Sequence, residues 1–166
     1  MNEVRFTYDW YGEFLEELKE YGYGFHTFDE GAPGGSVVLR HDVDWSPRKA
    51  VRIAEIEDEA DVSATYFFLV TSPFYNILND SVRKKISRIQ ALGHDVGLHF
   101  STHQYWDCQP DRQALDDRID RELDVLSKAT GNRSSVVSFH NPPEWVINTK
   151  FDDFTSTYES RFFEDH

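Results

Sequence analysis

Ser36-Val37-Val38-Leu39-Arg40-His41-Asp42-Val43-Asp44-Trp45-Ser46-Pro47 is the stretch whose reading decides the fold. Ser36 to His41 is a mostly apolar run with the composition of a buried strand. Ser46-Pro47 offers a serine N-cap followed by proline at the first helical position. A strand that leads so soon into a helix is the repeating unit of a parallel sheet. Working outward, the unit recurs. The helix runs from Pro47 to about Ala60, with Val51, Ile53, Ala54 and Ile56 turned inward. Ala64-Thr65-Tyr66-Phe67-Phe68-Leu69-Val70 reads as the next strand, rich in aromatic and β-branched residues. Ser81 to Leu92 is helical on the spacing of Val82, Ile86 and Ile89, and Gly93 stops it. Asp95 to Leu98 is a short strand. Asp111 to Thr130 is a helix with the stripe Leu115, Ile119, Leu123 and Leu126, ended by Gly131. Ser135-Val136-Val137-Ser138-Phe139 is a further strand. Upstream, Asp9 to Tyr21 reads as a helix with Phe14, Leu15, Leu18 and Tyr21 on one face. Gly22, Gly24 and Gly31-Ala32-Pro33-Gly34-Gly35 then predict a loop. Residues 1–35 are therefore an N-terminal helix and Gly-rich loop, and residues 36–166 an α/β domain on a mainly parallel sheet, open or barrel-like. After Pro142-Pro143 the pattern fades. Phe151 to Phe163 is aromatic and acidic without a clear period, and no final element is expected there.

The 166 residues suffice for one domain with a real core. Acids outnumber Lys plus Arg by 30 to 17, for a net charge of −13. That charge excludes nonspecific nucleic-acid binding, which needs cations against phosphate, and disfavours anionic membranes. Cys108 is the single cysteine, so no intrachain disulfide can form. Met1-Asn2-Glu3-Val4-Arg5-Phe6 lacks the apolar core of a signal peptide, and no stretch approaches a membrane span. A cytoplasmic location is the expectation.

In an α/β domain, ligand sites gather at the carboxyl ends of strands. His41, Asp42 and Asp44 stand at one such end, His99 at another and His140 at a third. Asp42 and Asp44 are two apart, so extended backbone points them to the same side. There they repel unless a cation or proton is shared; otherwise one caps the Ser46-Pro47 helix and the other is solvated. His99 and His103 are four apart. If the chain turns helical after Leu98 they share a face, a common metal-binding arrangement; otherwise they are surface histidines in a loop. His41 alternates with Asp42 and is expected to face away from the acids. His94 reads as structural. His140-Asn141-Pro142-Pro143 is a rigid turn, whose His140 or Asn141 either orients a catalytic acid, touches substrate or merely shapes the turn. Tyr105 and Trp106 either stack on a sugar ring or plug the loop. Carboxylates and imidazoles on one rim suit a borderline divalent ion such as zinc, and an acid beside it suits a base acting on water. The combination points to a metal-dependent hydrolase.

These motifs resemble those of the polysaccharide deacetylase family, the NodB-homology carbohydrate esterases. His41-Asp42-Val43-Asp44 is similar to that family's first motif, Thr-Phe-Asp-Asp-Gly. Gly93-His94-Asp95-Val96-Gly97-Leu98-His99-Phe100-Ser101-Thr102-His103 resembles its Gly-His-Glu-Ile-Gly-x-His followed by a second histidine. Ala64 to Val70 resembles the strand between them, and Val136 to Pro143 stands where the family carries Arg-x-Pro-x-Gly. The resemblance runs from Val38 to Pro143. It implies a deformed (β/α) barrel of about seven strands; about four are visible, so an incomplete barrel is expected, from a C-terminally truncated or divergent member. By the resemblance, Asp44, His99 and His103 hold the metal, most simply zinc, and Asp42 is the general base. His140, Asn141, Tyr105 and Trp106 are the expected substrate contacts. The implied reaction is hydrolysis of a linear amide C–N bond, an N-acetyl group on a carbohydrate. The alternatives are a non-catalytic relative that binds metal or glycan, and a hydrolase of another C–N substrate such as an allantoin-like ureide. The chain departs from the family in three ways. Val43 separates the two acids, the third motif's arginine is missing, and nothing after Pro143 resembles the motifs that supply a tryptophan-lined pocket and a general-acid histidine. An unclosed barrel exposes strand edges, so self-association is a further expectation.

Overall fold

The computed structural model describes residues 5–29 and 34–163. Gly31-Ala32-Pro33 of the expected loop, and His166, lie outside the described residues. The elements run α1 (Tyr8–Glu20), β1 (Gly24–His26), β2 (Ser36–Val38), β3 (Arg40–Val43), α2 (Pro47–Glu59), β4 (Thr65–Leu69), α3 (Asp80–Ala91), β5 (Asp95–Phe100), α4 (Arg112–Thr130), β6 (Val136–Phe139) and β7 (Thr155–Ser156), with short 3₁₀ turns between some of them. Strands β3-β4-β5-β6-β7 form one sheet in that order, every neighbouring pair parallel. β1 and β2 form a separate parallel pair. The fold is α/β on a parallel sheet, as expected. Among the described residues, no helix is long and apolar enough to cross a membrane.

The helix boundaries follow their local chemistry. Ser46 Oγ accepts from the Lys49 N–H at the start of α2, with Pro47 behind it. The Asp111 carboxylate caps α4, and Gly131 ends it at φ 81°, the left-handed conformation that glycine adopts without penalty. The pleat then sorts side chains to two faces. Val43, Tyr66, Phe68, Leu98, Phe100, Val137 and Phe139 turn outward into a core shared with Ala54, Ile86, Ile89, Ile119 and Leu126 of the helices. Phe67 and Val136 turn the other way and pack with Phe28 and the half-buried Phe162.

That second face is the inside of a deep curl. Asp42 is on β3 and Ser138 on β6, with two strands between them. In a flat sheet three strand spacings would separate them by about 14 Å. Ser138 Oγ instead donates to Asp42 Oδ1 at 3.1 Å. Arg40 of β3 reaches further, to Tyr158 Oη at 2.8 Å and Thr157 Oγ1 at 3.4 Å just beyond β7. The sheet is thus barrel-like, but among the described residues no backbone ladder joins β3 to β7. The expected incomplete barrel is what the strand order gives.

Three local readings change. The single strand expected from Ser36 to His41 divides at Leu39 into β2 and β3. β1 forms where Gly22 and Gly24 predict loop. β7 forms in the aromatic, acidic stretch expected to have no element. β1 and β7 span three and two residues, too short for an alternating pattern to register.

Candidate metal centre

His99 is the floor of the site. It sits near the carboxyl end of β5 and is 1% exposed. Its Nδ1 lies 3.1 Å from the Ser138 carbonyl, to which it donates. That bond fixes the tautomer and leaves the Nε2 lone pair facing the rim. Nε2 is 3.3 Å from Asp44 Oδ1 and 3.1 Å from His140 Nδ1. His140 follows β6 directly, held by its own N–H on the Phe100 carbonyl at 2.8 Å, and its Nδ1 is 3.3 Å from Asp44 Oδ1. Burial lowers the His99 pKa from its ordinary value, more than Asp42, Asp44 and the Ser138 carbonyl raise it.

Asp44, His99 and His140 therefore present three ligand atoms to one point. Asp44 Oδ1 is buried and has no hydrogen-bond partner, a costly state for a carboxylate oxygen unless a cation completes it. Two ligands on a tetrahedral zinc, each about 2.0–2.1 Å from the ion, stand about 3.3 Å apart. The observed separations match that spacing, so a carboxylate and two imidazoles here fit a zinc-like divalent ion.

Asp42 lies beside this group. Arg40 grips it as a fork, Nε to Oδ1 at 3.2 Å and Nη2 to Oδ2 at 2.8 Å, while Ser138 supplies the third bond. Its Oδ1 is 3.8 Å from His99 Nδ1. Arg40 and Ser138 were not singled out from sequence. A signal for Arg40 exists: it stands two before Asp42 in a strand, so both side chains share a face.

Other expected site residues fall differently. His103 is not in the group. β5 stays extended through Phe100, and His103 lies in a single 3₁₀ turn, Thr102–Gln104, so the helical pairing with His99 does not arise. Its Nε2 donates to the Asn141 carbonyl at 3.1 Å. Asn141 adopts φ 46°, a left-handed conformation that asparagine tolerates, and its amide stands 3.1 Å from His140 Nε2. His140, read from the sequence as orienting a catalytic acid, touching substrate or shaping the turn, stands with Asp44 and His99. Tyr105 stacks on Phe100 and bonds Glu122 of α4 through its hydroxyl, and Trp106 packs on the same two rings. Of the two readings for this pair, the loop plug matches the packing. His41 faces away from Asp42, onto Glu57 at 2.5 Å, and His94 is a buried structural residue bonded to the Ala54 carbonyl and the Ala64 N–H.

The architecture has relatives. IcaB from Ammonifex degensii superposes with a TM-score of 0.59 at 17% identity, over 84% of this chain and 69% of that one. The deacetylase PplD of Streptococcus pyogenes, in complex with acetate, gives 0.56 at 16% identity, over 79% and 61%. A family 4 carbohydrate esterase from Bacillus anthracis gives 0.48 at 18%, over 75% and 56%. The chain thus spans between roughly half and seven tenths of these proteins. No curated protein matches. The family profile described as polysaccharide deacetylase matches residues 25–162, which take in every residue of the rim; the chain belongs to the polysaccharide deacetylase family.

Proposed function

We propose that this chain is a metal-dependent hydrolase that removes acetyl groups from N-acetylated carbohydrate, with Asp44, His99 and His140 as the metal's protein ligands. The observation that carries the reading is the buried Asp44 Oδ1, unpartnered and 3.3 Å from a nitrogen of each histidine. When bound, a zinc-like ion supplies the charge that polarises a carbonyl and acidifies water. Asp42 takes the proton of the attacking water as general base. Arg40 and Ser138 hold the Asp42 carboxylate in one orientation, with Oδ2 engaged by Arg40 alone. The Ser138 carbonyl, by accepting from Nδ1, keeps His99 Nε2 deprotonated and aimed. The Asn141 amide, turned to present Oδ1, would do the same for His140 by accepting from its Nε2. PplD, a fold relative, is a deacetylase solved with acetate, the acid that such a hydrolysis releases.

Metal content separates the two ligand sets. Purified His140→Ala is expected to lose stoichiometric zinc, while His103→Ala keeps it, because His103 Nε2 is engaged by a backbone carbonyl. Zinc lost from His103→Ala and retained by His140→Ala would reverse the assignment. Asp42→Asn is expected to keep the metal and release acetate from an N-acetylated oligosaccharide about 10²–10⁴-fold more slowly. Undiminished release would remove Asp42 as base.

A further inference from the structure

A cavity of about 540 Å³ opens between the start of α1 and the first turns of α2. Tyr8, Trp10 and Tyr11 of α1, Lys49 and Ile53 of α2, and His41 of β3 line it. His41 turns away from Asp42 and onto Glu57, so the cavity lies on the far side of β3 from the metal centre. The rings in its wall are held in place. His41 stacks on Tyr66 with centroids 4.7 Å apart and stands edge-on to Tyr11 at 6.3 Å. Its Nε2 is 2.5 Å from Glu57 Oε1, to which the Tyr11 hydroxyl also donates at 2.5 Å. Trp10 stacks on Phe14, with 5.3 Å between centroids. At the lip, Phe6 is 97% exposed, an apolar ring left in water at the mouth of a mostly apolar cavity. Aromatic walls with a few convergent polar groups, at this volume, are the make-up of a small-molecule site.

Charge decides the class of ligand. Acids outnumber Lys plus Arg by 30 to 17 in the chain, yet none lines this cavity. Lys49 does, and among the described residues its ammonium has no carboxylate partner. Arg52 lies beside the mouth, its guanidinium 6.0 Å from the centre of the Tyr8 ring and 3.8 Å from Glu55. The carboxylate beneath the floor, Glu57, is fully buried and already engaged by His41, Tyr11 and Tyr66. A cationic ligand would meet Lys49 head on, and a neutral one would leave it unanswered. We propose that this cavity binds a small aromatic acid, its ring packed among Tyr8, Trp10, Tyr11 and Ile53 and its carboxylate on Lys49, at a site separate from the metal centre. Ring-on-ring contact supplies the body of the affinity, and the charge-assisted bond to Lys49 sets the preference for an acid.

Titration of the zinc-supplemented full chain tests it, with indole-3-acetate and its neutral analogue indole-3-acetamide as probes and backbone amide shifts followed by NMR. Saturable shifts are expected at Tyr8, Trp10, Tyr11, His41, Lys49 and Ile53. The acid is expected to bind about tenfold more tightly than the amide, the scale of one charge-assisted hydrogen bond. Lys49→Gln should bind the two probes alike, and Lys49→Arg should restore the difference. Lys49 is exposed, so both variants are expected to keep the parent's melting temperature. Shifts confined to Asp44, His99 and His140 would mean that the carboxylate binds the metal, and would overturn the site. So would a preference for the acid that survives Lys49→Gln, or a parent with no saturable shift around the cavity. A dimer that Phe6→Ser dissolves, with no probe bound by the parent, also overturns it and gives the cavity to a second copy of the chain.

Discussion

Gly97 shows how one missing side chain shapes the interior. It faces inward on β5, opposite Phe67 of β4. A Cβ there would collide with the Phe67 ring and come within 3.0 Å of the Val136 carbonyl. Phe67 is itself fully buried against Phe28, ring centroids 5.8 Å apart, and has nowhere to retreat. Gly97→Ala is therefore expected to cost about 1–3 kcal/mol, as overpacking does, measured by urea unfolding. Phe67→Leu in the same chain should recover part of that loss; no recovery would mean that the backbone contact sets the cost. In the sequence, Gly97 is only one position of the Gly93–His103 motif. Its reason becomes visible once β4 and β6 are paired on either side of it.

At the scale of elements, Glu57 ties four of them together. It lies on α2 with its side chain fully buried. Tyr11 of α1, Tyr66 of β4 and His41 of β3 each approach its carboxylate to 2.5 Å. Burial alone would push the carboxyl up; the His41 hydrogen bond and charge, with the two tyrosine hydroxyls, outweigh it and hold the pKa below the usual range. A lowered folded pKa stabilises the protein above the unfolded value of about 4.3, and that contribution is lost as pH falls through the lower folded value. Glu57→Gln is expected to cost about 1.5–3 kcal/mol near neutral pH, with the gap to the parent narrowing below about pH 4. A gap that stays constant across that range would show that the charge is not what matters. The helices in this arrangement were legible from apolar spacing, from Ser46-Pro47 and from Gly131, because local chemistry decides them. Glu57 was not, because its partners come from positions up to 46 residues away. The site divides in the same way. Asp42, Asp44, His99 and His140 were marked by their places at strand ends. The choice of His140 over His103 in the cluster depended on where β5 stops being extended, which spacing does not encode.

Across the whole molecule, Arg40 joins the two ends of the sheet. It grips Asp42 on one side and Tyr158 and Thr157 on the other, with its guanidinium 4.8 Å from the centre of the Tyr158 ring. The arginine that holds Asp42 comes from the same strand as that acid. Arg40→Lys keeps the charge and loses the planar fork. It is expected to retain zinc, to slow acetate release and to lower stability by about 1–3 kcal/mol. Unchanged turnover would show that Arg40 bridges the sheet without positioning Asp42. The seam it spans carries side-chain contacts where a closed barrel would carry a backbone ladder. The curl is therefore buttoned rather than stitched: the reach of one arginine and the Asp42–Ser138 bond set how wide it stands, and with it the spacing of the acid on β3 from the histidines across the gap.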